Sequence, residues 1–317
     1  MNSWITRSLF VLCICLVTIQ ALNAQDASRI YIEPTGWSIG TEGGLSDLWG
    51  NIGTTSPIDH YANSKYFDKV CFMGGIFGRY TVHPCFALKL TANYGSLYAT
   101  DKWNYDLAKK ATSQGADAYQ RYARNQDAKD VMFESTLQME IDLFRFNPES
   151  KSAHRRGQPF LVGGIGVFHF TPYSTVGNSP TWVRTYPLDL EGQGFAGPGY
   201  PKQFSLWQPC IPLGIGYRWD IGQHLNIGLE YVWRMCFTKY LDGVSGPYIG
   251  LSQFQANLPA SQAQTAYLVE DKSYFNGLSQ PQTAGNLRGN ASYEDSYSTI
   301  TLTIYWKIES KNREWWH

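Results

Sequence analysis

The C-terminal part of this chain alternates with a period of two residues, and no other feature constrains the fold more. Over residues 296–308, large apolar side chains occupy one face and mainly polar side chains the other. This alternation is typical of a β-strand with one apolar face. It recurs in 225–237, 131–146 and 85–96. A soluble β-sandwich also alternates, but it does not usually place Trp, Tyr, Met and Phe so consistently opposite Glu and Arg.

Four further segments alternate less regularly between apolar and polar residues, and they contain repeated glycines. Three of them cover 69–82, 158–170 and 204–219, and the fourth covers 36–45. Glycine weakens a strand, so its presence indicates close backbone approach or strong sheet curvature. We expect the segment 36–45 to pair with 296–308, which would close eight strands into a barrel.

The connections between these segments alternate in length. Short links lie at 82–84, 147–157 and 220–223, and long ones at 46–68, 99–130, 171–203 and 238–295. Long loops on one side and short turns on the other are typical of outer-membrane barrels. We therefore predict an all-β, eight-stranded antiparallel up-and-down transmembrane β-barrel with long extracellular loops. Both termini would be periplasmic, and 105–128 is a candidate for a short surface helix.

The N-terminal residues have the layout of a secretory signal peptide. Arg7 precedes an apolar run over 8–19, and the small residue Ala24 at the end of 21–24 indicates cleavage before Gln25. We predict a signal peptide over 1–24 and one barrel domain over 25–317, located in the outer membrane of a Gram-negative bacterium. Aromatic residues make up 15% and charged residues 16% of the chain, against about a quarter charged in a typical soluble domain. The formal net charge of +0 favours no nucleic-acid partner.

Four cysteines remain after cleavage: Cys71, Cys85, Cys210 and Cys236. Their spacing is not that of a metal site, so we predict no bound metal. Folding 204–219 onto 225–237 about the turn at 220–223 leaves Cys210 and Cys236 out of register by about three residues, or roughly 10 Å. We therefore predict that all four are free thiols.

The polar face of the predicted strands is unusually rich in charge. Eight charged side chains are predicted to point into the barrel: Arg79, Lys89, Glu140, Asp142, Arg218, Glu230, Arg234 and Lys307. The interior of an eight-stranded barrel is just wide enough to be filled by side chains. Because buried charges persist only when paired, we predict carboxylate–guanidinium contacts involving Glu140, Glu230 and Arg234. A selective channel lined by the same residues is the open alternative.

Residues with catalytic potential are few. Only His169 is expected near the outer rim, with Thr171 two residues away. A histidine and a hydroxyl without a third, orienting group do not make a nucleophilic site. We predict no enzyme activity, no catalytic residue and no cofactor.

Several segments, taken in order, resemble the PorG-like outer-membrane barrels of the type IX secretion apparatus. They are 75–80 (GIFGRY), 90–101 (LTANYGSLYATD), 140–148 (EIDLFRFNP), 159–172 (PFLVGGIGVFHFTP), 225–246 (LNIGLEYVWRMCFTKYLDGVSG) and 288–290 (RGN). The resemblance implies a non-enzymatic structural or assembly component, embedded in outer-membrane lipid. Its implied partners are a periplasmic ring lipoprotein and that lipoprotein's own partner.

On this resemblance, the periplasmic turns and the C-terminal tail are the candidate contact surface for the ring. The candidate residues are His83, Asn147, Arg155, Gly222, Trp315 and Trp316. Tryptophan favours the membrane–water interface, so anchoring of Trp315 and Trp316 in the lipid is an alternative to partner contact. A small porin-like or uptake-associated barrel is the alternative function.

Overall fold

A computed structural model describes residues 35–54, 61, 70–146, 155–221, 224–276 and 281–308. Eight antiparallel strands form the barrel, and a short extra strand, β6, extends one edge of β5. The nine strands are β1 (Gly36–Trp49), β2 (Cys71–His83), β3 (Phe86–Thr100), β4 (Asp127–Asp142), β5 (Gly157–Thr175), β6 (Trp182–Arg184), β7 (Trp207–Asp220), β8 (Leu225–Cys236) and β9 (Ser296–Lys307). Sequential barrel strands are hydrogen-bonded neighbours, and β1 pairs with β9 to close the sheet. The predicted eight-stranded up-and-down barrel is confirmed.

The outer face of the barrel is apolar. Ile39, Ile76, Leu90, Ile165 and Ile215 are each about 60% exposed or more. An unbroken belt of large apolar side chains around a closed sheet is what a barrel presents to lipid. The alternating polar positions are buried in the lumen, as the two-residue period predicts.

The strands extend further on the long-loop side than the sequence pattern indicates. β3 continues to Thr100, β4 begins at Asp127, and β5 continues to Thr175. These additional residues pair with one another, Thr100 with Asp127 and Lys129 with Tyr173. The paired strands therefore extend the barrel on the long-loop side, and the long loops begin at these extended strand ends.

The structure gives the bounds of four short α-helices in the described parts of the long loops. They are α1 (Tyr105–Lys110), α2 (Asp117–Arg124), α3 (Leu251–Asn257) and α4 (Ala260–Glu270). The single helix expected over 105–128 is two helices, and its last residues belong to β4. In the part of the chain that the structure describes, no helix is both long and apolar enough to cross a membrane.

Glycines on the inner face make room for aromatic rings. A Cβ added at Gly216 would lie 2.3 Å from Cζ of Phe160, and one at Gly40 would lie 2.7 Å from Cζ of Phe77. The ring of Phe160 lies under the guanidinium of Arg218, with the Cζ of Arg218 4.9 Å from the ring centroid. These glycines therefore allow the lumen to be filled, because larger residues would displace the rings.

The predicted register of two cysteines is wrong. Cys210 on β7 lies directly opposite Cys236 on β8. The pairing of Asp220 with Asn226 centres the hairpin near residue 223, beyond the centre expected from a turn at 220–223. Within the described residues, all four cysteines are free thiols, as predicted.

Candidate functional site: a charge-filled lumen under a folded cap

At the short-turn end, the lumen is crossed by an ion-paired cluster around Asp220. One oxygen of Asp220 lies 3.0 Å from Nη2 of Arg145, and the other lies 3.0 Å from Nζ of Lys307. All three side chains are buried. The cluster joins β7, β9 and the residues that follow β4.

The next layer is centred on Glu140. Its Oε2 accepts from Nε of Arg79 at 2.7 Å and from Nη1 of Arg218 at 2.8 Å. Arg218 also forms an ion pair with Asp142, and Arg79 donates to the hydroxyl of Thr81 at 2.8 Å. The single negative charge of Glu140 is therefore shared by the two positively charged guanidinium groups of Arg79 and Arg218.

In the middle of the barrel, Lys89 lies between two carboxylates. Its Nζ is 2.6 Å from Oε2 of Glu42 and 2.9 Å from Oε2 of Glu230. The same ammonium lies 4.4 Å from the ring centroid of Phe77. Glu230 is thus paired with a lysine, and the guanidinium partner predicted from the sequence is wrong for this residue.

Above this layer, Arg234 pairs with Glu134 across the barrel. Nε of Arg234 lies 2.9 Å from Oε2 of Glu134, and the hydroxyl of Tyr297 donates to the same oxygen at 2.5 Å. The amide of Asn93 donates to Glu42 at 2.7 Å and to Glu134 at 3.2 Å, so it links the two layers.

All eight charged residues predicted to face the lumen are buried there. Four partners were not predicted: Glu42, Glu134, Arg145 and Asp220. Glu134 has the same parity on β4 as Glu140, so the alternation could have identified it. Glu42 lies in a glycine-rich strand of weak phase. Arg145 follows the end of β4, where the chain turns and the alternation no longer determines direction.

The charges within this network balance. Its six cations are Arg79, Lys89, Arg145, Arg218, Arg234 and Lys307, and its six anions are Glu42, Glu134, Glu140, Asp142, Asp220 and Glu230. This network, taken by itself, therefore carries no excess charge to attract an ion of either sign. Its arrangement is that of a packed core.

An apolar layer lies above the charged layers, at the base of the long loops. It includes Leu48, Ile52, Met73, Leu97, Trp103, Phe168, Phe170, Cys210, Cys236, Leu241, Val244 and Tyr297. Loop residues such as Leu241 and Val244 pack directly against strand residues in this layer. The loops are thereby packed onto the mouth of the barrel.

The four long connections are joined to one another by two arginines, and together they form a cap. Arg124 donates to both carboxylate oxygens of Asp101 at 2.8 Å and to the carbonyls of Asn51 and Arg288. Arg288 donates in turn to Glu191 at 3.3 Å and is buried. The cap also has an apolar core of its own, formed by Leu188, Leu190, Ile249, Phe254, Ala263, Ala266 and Val269.

Two buried charged groups in the cap have displaced pKa values. Burial raises the pKa of Glu270 to about 7, although its carboxylate accepts from the backbone N–H of Ile249 at 2.5 Å. Burial lowers the pKa of Lys272 to about 8, against the opposing effect of Asp127, whose Oδ1 lies 2.6 Å from its Nζ. Lys272 holds the cap to the ends of β4 and β5 through Asp127, Ser174 and Thr175. The carboxylate of Glu270 instead joins two parts of the cap, because it accepts from the backbone N–H groups of Ile249 and Gly250.

The residues considered for catalysis are not arranged for it. His169 lies on the outer face of β5, and its ring centroid is 5.1 Å from that of Trp207. Thr171 follows on the same outer face. Over the described part of the chain, no group of three His, Cys, Asp or Glu side chains converges as a metal site.

The candidate partner contacts are only partly described. His83 is the last residue of β2, immediately before the β2–β3 turn, with Nδ1 2.9 Å from Sγ of Cys85. Arg155 is exposed just before β5. The other four candidates lie outside the described residues: Asn147, Gly222, Trp315 and Trp316.

No family model matches this sequence, and no curated protein sequence matches it. Among solved structures, Neisserial surface protein A (NspA) aligns with 87% of this chain and 100% of its own, at 10% identity and a TM-score of 0.34. Ail, the attachment invasion locus protein of Yersinia pestis, solved with the heparin analogue sucrose octasulfate, aligns with 86% of this chain and 97% of its own, at 9% identity and a TM-score of 0.32. The outer membrane protein OprG from Pseudomonas aeruginosa aligns with 88% of this chain and 100% of its own, at 7% identity and a TM-score of 0.32. At these identities and TM-scores, none of the three indicates a residue role in this chain.

Proposed function

We propose that this chain is a non-enzymatic, non-conducting outer-membrane barrel that acts by contact with other proteins, as a structural or assembly component of type IX protein secretion. The filled lumen is the observation that supports a barrel without ion conduction. Charge-balanced ion pairs occupy its lower layers, an apolar layer lies above them, and the cap covers the mouth. In this proposal both termini and the short turns are periplasmic.

The filled lumen argues against a channel on energetic grounds. A continuous water path would have to separate pairs such as Arg234–Glu134, which join opposite walls of the barrel. Removing one partner of a buried ion pair typically costs about 3–5 kcal/mol. Several such pairs are stacked along the axis, so an open state of useful population is not expected.

The secretion role is supported by the PorG-like segments. Several of them supply residues of the filled lumen: Arg79 in GIFGRY, Glu140 and Asp142 in EIDLFRFNP, and Glu230 and Arg234 in the segment from 225. These segments therefore coincide with the features that make the barrel a rigid anchor. A rigid anchor exposes two protein surfaces, the cap and the short turns. Of these two surfaces, the short turns are the candidate contact for the periplasmic ring.

The test of the secretion role is a pulldown from solubilised membranes with a tagged chain. We expect periplasmic ring subunits to co-purify, and we expect His83→Ala combined with Arg155→Ala to reduce their recovery. Leu287→Ala is the matched control, because Leu287 is 81% exposed in the cap, at the other end of the molecule. Intact cargo secretion after deletion of the gene would refute the assembly role.

Planar-bilayer recording tests the alternative of a porin-like barrel. The purified chain is expected to insert without unitary current steps. Reproducible conductance that survives removal of contaminating porins would refute the non-conducting barrel and favour the uptake alternative. This measurement is independent of the pulldown, so each half of the proposal can fail by itself.

A further inference from the structure

Cys210 and Cys236 occupy directly opposite positions on neighbouring antiparallel strands. Both side chains face the lumen, and both residues are at most 3% exposed. Directly opposite residues in an antiparallel pair have Cα atoms about 4.5 or 5.5 Å apart, depending on the hydrogen-bonding position. A disulfide requires a Cα separation of about 4.4–6.8 Å. The backbone therefore already satisfies the distance requirement.

We propose that Cys210 and Cys236 form a cross-strand disulfide when the exported chain meets a thiol oxidant, and that the free thiols seen here are the reduced form of this redox site. In the reduced form the two sulfur atoms face different neighbours. A Cβ added at Gly166 would lie 3.1 Å from Sγ of Cys210, and Sγ of Cys236 lies 3.6 Å from the carbonyl of Arg234. Rotation about χ1 of Cys210 and Cys236 can turn the two sulfur atoms toward each other without moving the backbone, because χ1 changes between staggered positions.

The chemistry is thiol–disulfide exchange. A thiolate from one cysteine attacks a small or protein disulfide oxidant, releases one thiol and leaves a mixed disulfide. The second cysteine then attacks the mixed disulfide, which forms the Cys210–Cys236 bond and releases the second oxidant thiol. The chain loses two protons and two electrons, which together are two hydrogen atoms, and the oxidant disulfide gains them and is reduced to two thiols.

Burial determines when the exchange takes place. In the closed barrel both thiols lie in the apolar layer under the cap, out of reach of a protein oxidant. The thiol–disulfide exchange therefore takes place after export of the chain and before the barrel closes. The bond would join β7 to the last residue of β8, where the 237–295 connection begins. It would fix the base of the longest loop of the cap.

The other two cysteines provide an internal control. Cys71 is next to Ser46 in the β1–β2 register, and Cys85 lies in the turn after His83. Neither is opposite another cysteine in the described registers, so neither is expected to form an intramolecular bond. The disulfide is predicted to be specific to one pair out of the four thiols of the described residues.

The experiment is thiol counting by intact mass on the chain purified from outer membranes after removal of the predicted signal peptide, which carries Cys13 and Cys15. The sample is acid-quenched and alkylated under denaturing conditions. We expect two alkylated thiols, a backbone mass lower by two hydrogen atoms, and a linked peptide that contains both Cys210 and Cys236. The double variant Cys71→Ser/Cys85→Ser should keep the mass loss, and Cys210→Ser should abolish it.

A second experiment tests disulfide formation in vitro, without the oxidants of the cell. The reduced chain is unfolded in urea and refolded into detergent micelles with a mixture of oxidised and reduced glutathione, and folding is scored by its shifted mobility on unheated gels. A linked Cys210–Cys236 peptide in the folded fraction supports the proposal. Four free thiols in both experiments, or a linked peptide that includes Cys71 or Cys85, would overturn it.

Discussion

Replacing Glu140 with glutamine removes the charge that two buried arginines share. Arg79 and Arg218 contact the same oxygen at 2.7 and 2.8 Å, and all three side chains are at most 3% exposed. Loss of one partner of a buried ion pair costs about 3–5 kcal/mol. Arg218 keeps its contact with Asp142 and glutamine keeps one acceptor oxygen. We therefore expect Glu140→Gln to lower the free energy of unfolding by about 3 kcal/mol, the lower end of that range.

The assay is reversible urea unfolding in lipid vesicles, followed by tryptophan fluorescence and by the mobility shift of folded barrel on unheated gels. The double variant Glu140→Gln/Arg79→Gln restores the charge balance of the layer. We expect it to be less destabilised than the sum of the two single variants by at least about 1 kcal/mol, because contacting residues are coupled.

Asp117→Asn is the matched control. Asp117 pairs with Arg121 on α2, but its side chain is 69% exposed, and exposed pairs contribute about 0–1 kcal/mol. If Glu140→Gln unfolds within about 0.5 kcal/mol of the control, the lumen ion pairs do not hold the barrel together and the reasoning for a closed lumen fails.

Two further predictions concern packing and pH. Gly216→Val should cost about 1–3 kcal/mol through the clash with Phe160, whereas Gly78→Ala, where an added Cβ meets nothing within 4 Å, should be nearly neutral in the same unfolding assay. The raised pKa of Glu270 means that the folded cap holds a proton that the unfolded cap releases, so cap stability should fall as pH rises from about 4.5 to about 7 and be constant above. Limited proteolysis of the reconstituted barrel across this range should show faster cap cleavage at the higher pH. In Glu270→Gln this dependence should be weaker, and a wild-type cleavage rate that does not vary with pH would contradict the assignment.

The barrel itself was accessible to sequence reasoning because a two-residue period assigns each side chain to a face. The inward positions of Glu140 and Glu230 follow from that period alone, and both are buried in the lumen. The period does not say which charges meet, since this depends on strand order and stagger around the barrel. Lys89 on β3 therefore contacts Glu230 on β8, a partner that alternation within either strand cannot identify.

The contacts of the cap could not be predicted from the sequence, for a related reason. Its contacts join residues far apart in the chain, such as Arg288 with Glu191 and Arg124 with Asp101. No local period marks such pairs, and the loops appear in the sequence only as long connections. The Cys210–Cys236 register was missed because the centre of a hairpin cannot be located to within one or two residues from turn composition.

The ion pairs of the lumen have a consequence for the order of folding. Arg234 and Glu134 belong to β8 and β4, and Lys89 joins β1, β3 and β8. No four neighbouring strands contain Lys89 together with both Glu42 and Glu230, because β8, β1 and β3 become neighbours only across the β1–β9 seam. An open sheet inserted in lipid would therefore leave part of this charge unpaired. Insertion of this barrel into the bilayer should therefore be concerted with closure of the β1–β9 seam. Variants that weaken the seam should accumulate outside the membrane and should not stall halfway across it.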